Sequence, residues 1–176
     1  MGSATTLGIL KQELQTHDRR SLIELCIQLA RFKQENRELI TYLLFHAKDP
    51  IAYAQGYKIL IEEPFDKHLM NPYLLTKGIR KSFRLISRYA KVSKSKEGEC
   101  ELYLHLAVQF VERIQGKLVH KALITLLERA LKKAHQLILK MHEDFQMDYI
   151  PIYTDLVVQC KNKVSNPNYV FEVQMI

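Results

Sequence analysis

The chain has 176 residues, with 26 Lys/Arg against 19 Asp/Glu, seven His and a formal net charge of +7. Apolar residues make up 47% and charged residues 26%, the balance of a folded, water-soluble domain rather than a disordered tail. Six Gly and five Pro, about half the roughly 12% usual for the pair, argue against a β-sandwich, a Gly-rich nucleotide fold or any loop-dense architecture.

Apolar spacings of three and four recur along almost the whole chain, which predicts helix after helix. Leu7, Leu10 and Leu14 form a first short stripe. Asp18 can cap a second helix carrying Leu22, Leu25, Cys26 and Leu29. Cys26, within an apolar run, reads as a small buried hydrophobe. A third helix passes through Leu39, Tyr42, Leu43 and His46. Asp49-Pro50 then supplies a cap and a first-turn proline for a fourth, from about 50 to 61. Glu62-Glu63-Pro64-Phe65-Asp66-Lys67 breaks the pattern and reads as an internal joint. Asn71-Pro72 repeats the cap-plus-proline start and opens a fifth helix to about Val92.

After the polar link Ser93–Gly98, a sixth helix is expected from about 99 to 115. A seventh runs from 118 to 145, about 28 residues or roughly 42 Å. Ile150-Pro151 opens an eighth to about Val164. Connections this short favour antiparallel neighbours. The expected fold is all-α: about eight antiparallel helices as a bundle or stacked helical hairpins, with a short extended C-terminal tail. It reads as a single domain over 1–176, a short-helix cap (1–63) on a long-helix bundle (71–164) with a tail (165–176). In that tail Tyr169, Phe171, Val173 and Met175 share one side of an alternating segment. They must be covered by their own domain or, as an exchanged arm, by a second copy in a homodimer.

Leu10-Lys11-Gln12-Glu13-Leu14 followed by Leu22-Ile23-Glu24-Leu25 resembles the opening of an uncharacterised bacterial all-α family, a domain of unknown function. The resemblance covers about the first 45 residues and implies a bacterial cytoplasmic protein. It brings no active-site residues with it. The same leucine spacing is similar to the two-helix SAP DNA-binding module, but Gln15-Thr16-His17-Asp18 stands where that module has its glycine turn.

The three cysteines, Cys26, Cys100 and Cys160, form no CxxC pair and suit a reducing compartment. No basic segment leads into a long apolar run, and no run reaches the roughly 18 residues of a membrane span. A cytoplasmic location is therefore expected. Met1-Gly2-Ser3-Ala4-Thr5-Thr6 fits both a loose myristoylation pattern and an ordinary start.

Charge is concentrated in one place. Lys67 to Lys96 holds nine Lys/Arg and no Asp or Glu, while the rest of the chain has more acids than bases. On the fifth helix Leu75, Ile79, Phe83, Ile86 and Ala90 cluster on one side. Lys77, Arg80, Lys81, Arg84, Arg88 and Lys91 cluster on the other. Like charges at these spacings repel by a few tenths of a kcal/mol per pair, so an unmixed face calls for a reason. Either it meets acids of neighbouring helices, such as Glu97, Glu99, Glu101 or Glu112, or it faces an anionic partner.

Catalytic and metal patterns are nearly absent. There is no Glu-x-x-His, His-Glu-x-x-His, P-loop, Gly-x-Gly-x-x-Gly or Gly-x-Ser-x-Gly. No metal or other cofactor is expected. Glu101 and His105 lie on the polar strip of the sixth helix and could share a proton or a metal. The simpler reading is a strip facing water or the basic helix. Arg129-x₅-His135 is similar to the signature of the all-α HEPN ribonucleases, with Ala130 after the arginine. On one helix, however, the two lie roughly 240° apart and would not converge. The expected function is a non-enzymatic helical scaffold or adaptor binding an anionic or protein partner through the basic helix. The alternative is a nucleic-acid-binding module using the same helix.

Overall fold

The computed structural model describes residues 5–114, 119–164 and 173. Among these the chain is all-α, with eight helices. Four starts follow from short polar side chains that satisfy first-turn N–H groups otherwise left without partners. Asp18 accepts from Ser21 N at 2.8 Å, Asp49 from Ala52 N at 2.8 Å, Asn71 from Leu74 N at 3.0 Å and Ser95 from Gly98 N at 3.1 Å.

The chain divides into two compact units, Met1–Ala47 and Lys48–Ile176. The first contains α1 (Leu7–Thr16), α2 (Arg19–Phe32) and α3 (Gln34–Phe45), and α2 packs on α3. Only Tyr42 is buried along these helices. Cys26, expected inside, is exposed. It lies on the wall of an open cleft of about 380 Å³ that Leu22, Ile23, Ile40 and Leu44 also line. Two paired helices have one shared seam, so apolar residues off that seam stay uncovered.

The second unit holds the core. It comprises α4 (Pro50–His68), α5 (Pro72–Ser93), α6 (Lys96–Arg113), α7 (Lys121–Ile138) and α8 (Glu143–Lys163). α6 lies at its centre, touching each of the other four, and buries ten residues. α5 and α6 are joined by Lys94 and Ser95 alone, with Lys94 in the left-handed region at φ 55°. Ile61, Phe65, Ile79, Ile86, Leu102, Leu106, Phe110, Leu127 and Tyr153 are at most 1% exposed. Burying one such aliphatic or Phe side chain contributes roughly 1.5–3 kcal/mol.

Three sequence boundaries are corrected. The expected joint at 62–67 does not exist, because α4 continues through Pro64 to His68. Proline removes one helical hydrogen bond, but Ile61, Pro64 and Phe65 are all buried here. Gly78 of α5 admits the proline ring, since a Cβ at Gly78 would sit 2.6 Å from Pro64 Cβ. The expected division at residue 63 accordingly moves to Ala47/Lys48. At the other end, the predicted seventh helix is two helices. α7 stops at Ile138, and His142 caps α8, accepting from Asp144 N at 3.4 Å. Pro151 therefore lies inside α8 instead of opening it. Of the tail, Tyr169, Phe171 and Met175 lie outside the described residues. Val173 is 8% exposed and belongs to the core of its own unit.

Candidate anion-binding site

Helix α5 sorts its residues as an amphipathic helix must. Leu75, Ile79, Phe83, Ile86 and Tyr89 are buried. Lys77, Arg80, Lys81, Arg84 and Lys91 are exposed, whereas Arg88 is half-buried and engaged within the fold. Among the described residues the five exposed bases form no ion pair. Glu63 of α4, which pairs with Lys67, also lies in the field of Lys81. Its carboxyl is held below the ordinary range first by Lys67, one turn away, and more weakly by Lys81.

Two carboxylates of α6 that were candidates to neutralise this face are engaged elsewhere. Glu101 Oε2 pairs with Lys58 Nζ at 2.9 Å, and Tyr149 of α8 donates to Glu101 Oε1 at 3.3 Å. Glu99 lies in the field of Lys133 and Lys140, and burial nevertheless raises its pKa.

Arg80 and Arg84, one turn apart, line an open depression of about 250 Å³ together with Phe83, Ser87 and Arg129 of α7. The Arg129 guanidinium carbon stands 4.9 Å from the Phe83 ring centroid, a cation–π contact that fixes its position. Ser87 is exposed, and burial pushes the hydroxyl of neighbouring Tyr103 up to about 12. Sequence reasoning placed Arg80 and Arg84 but missed Ser87 and assigned Arg129 to a different pairing. Ser87 follows Arg80 and Arg84 at i+7 and i+3, a signal that was present. Nothing local points from α7 to α5.

The polar pair Glu101 and His105 is resolved into two cross-links between α4 and α6. Glu101 goes to Lys58, and His105 Nε2 lies 2.8 Å from Glu62 Oε1, in contact but without an aligned hydrogen bond. Arg113 pairs with Asp66 one step further along. Lys58 and Glu62 are four apart, as are Glu101 and His105, so the two helices present matching rungs. Burial lowers the pKa of His105, with Lys58 adding to that shift and Glu62 and Glu112 opposing it. Above pH 6.5 the imidazole is neutral in both folded and unfolded chains, and its contribution to stability is complete. As pH falls through 6.5 the unfolded chain takes up the proton more readily, so that contribution is lost. Urea midpoints measured from pH 8 to pH 5 are expected to fall on the acid side, and His105→Gln should flatten the part of the decline that begins near pH 6.5.

Arg129 and His135 diverge: the imidazole stacks on Tyr153 of α8 at 5.7 Å, while the guanidinium lies over Phe83 of α5. Among the described residues no group of three His, Cys, Asp or Glu could hold a metal. Burial raises the thiols of Cys100 and Cys160 to about 12, which leaves them unreactive. No described helix is long and apolar enough to cross a membrane. No protein-family model matches the chain, and no curated protein or solved structure matches it.

Proposed function

We propose that this protein is a helical adaptor that holds an anionic partner against the outer face of α5. The reading is carried by one observation: Lys77, Arg80, Lys81, Arg84 and Lys91 are exposed and, among the described residues, form no ion pair. Five like charges along one helix repel one another, and an anionic surface would turn that repulsion into attraction. The buried side of the same helix anchors it to α4, α6 and α7, so the charges sit on a rigid element rather than a mobile loop.

The test is titration of the whole chain with a labelled acidic peptide, and separately with RNA and duplex DNA, at about 50 and 200 mM salt. Four contacts to a nucleic-acid backbone would weaken binding roughly 100-fold over that interval. Lys77→Glu with Lys91→Glu is expected to reduce binding at least tenfold at low salt without altering the circular dichroism spectrum. Tighter binding of RNA or DNA than of the peptide would favour a nucleic-acid-binding module. No binding of any of the three at low salt, or binding indifferent to the double reversal, overturns the proposal.

A further inference from the structure

We infer that Arg80, Arg84, Arg129 and Ser87 form a site for a phosphate monoester, presented as a phosphoserine or phosphothreonine in a partner protein. The inference rests on the anion-binding reading above and narrows it to one ligand. Two helices bring three arginines to the lining of a single depression, and no carboxylate is among the residues lining it. Such a gathering is self-repelling unless an anion occupies its centre. The arrangement is nevertheless built, because the Phe83 ring, 6% exposed, holds Arg129 from beneath.

The charge and geometry match a monoester. At neutral pH it carries about −1.5 to −2 and three acceptor oxygens. Arginine presents paired donors suited to such oxygens. The exposed Ser87 hydroxyl adds a neutral donor to the same depression. Lys77 and Lys91, near the two ends of α5, would meet acidic residues flanking the modified one.

Size and surroundings favour a peptide over a nucleotide. A depression of about 250 Å³ falls below the roughly 300–1,000 Å³ typical of pockets that enclose a whole small ligand. It suits a phosphoryl group whose carrier lies outside. Binding of single strands draws on exposed aromatic rings for base stacking, and Phe83, the one ring among the described residues lining the depression, is its buried floor.

The experiment compares one fluorescent acidic peptide with and without a single phosphoserine, alongside a 5′-phosphorylated oligonucleotide and inorganic phosphate as competitor. The phosphopeptide is expected to bind at least tenfold more tightly than its unmodified twin, with inorganic phosphate eroding the difference. Arg129→Gln and Ser87→Ala, both at exposed positions, should each shrink that ratio. Lys77→Glu with Lys91→Glu should weaken both peptides alike and leave the ratio standing. Equal, salt-sensitive binding of the two peptides would overturn the phosphate site while the adaptor reading survives. Absence of binding by both peptides and by the oligonucleotide would sink both. Tighter binding of the oligonucleotide than of the phosphopeptide, or a ratio untouched by Arg129→Gln, would also overturn the site.

Discussion

Gly98→Ala is expected to destabilise the second unit by about 2–3 kcal/mol, in the upper range for overpacking a filled core. That corresponds to roughly 8–12 °C in the unfolding midpoint. Gly98 lies in the first turn of α6, where a Cβ would overlap the Tyr89 hydroxyl and stand 2.6 Å from Tyr89 Cζ. The ring has nowhere to retreat. Tyr89 is fully buried, stacked on Tyr53 with centroids 5.7 Å apart and edge-on to Tyr57 at 5.4 Å. Its hydroxyl donates to the Pro50 carbonyl at 2.7 Å, tying α5 to the first turn of α4. One methyl group would therefore disturb three helices. Gly56 is the internal control: it is exposed in the middle of α4 with nothing within 4 Å of a Cβ. Gly56→Ala should stabilise the fold by about 0.5–1 kcal/mol, through backbone entropy and helix propensity. Thermal denaturation of both variants checks the pair. A mild Gly98→Ala, within about 0.5 kcal/mol of the parent, would mean that Tyr89 is not held as described.

The parts of this fold that can be read from the sequence are those set within a few residues. Asp18, Asp49 and Asn71 were recognisable as caps because a short polar side chain reaches its own first turn. The two sides of α5 were recognisable because burial follows the helical period. Errors arose where a distant partner decides the outcome. Pro64 looks like a break until Gly78, fourteen residues later, is placed against it. The leucines and alanines of α7 run on into the Phe145 region without a pause in spacing, so the turn at 139–142 leaves no local mark. Cys26 is apolar in context yet exposed, since burial also depends on how many helices surround α2. At the candidate site, the residues of α5 were legible and Arg129 was not, because its partner ring belongs to another helix.

Glu101→Ala is the second large effect, at about 1–3 kcal/mol, the cost of leaving partly buried polar groups without partners. The Lys58 and Glu101 side chains are 23% and 25% exposed, so water screens the pair incompletely. Removing the carboxylate strands the ammonium and also deprives the Tyr149 hydroxyl of its acceptor. A Lys58→Met, Glu101→Ala double-mutant cycle should give a coupling of about 1 kcal/mol, and the methionine keeps the apolar stem that lysine packs. Tyr149 supplies a readout of its own. Its pKa is raised first by burial and then by the neighbouring Glu101 charge. Glu101→Gln retains the shape and removes the charge, so ultraviolet titration should show Tyr149 ionising at lower pH in that variant. Zero coupling together with an unmoved Tyr149 would show that α4 and α6 are joined by packing alone. A positive cycle would identify the polar strip of α6 as the register between these two helices.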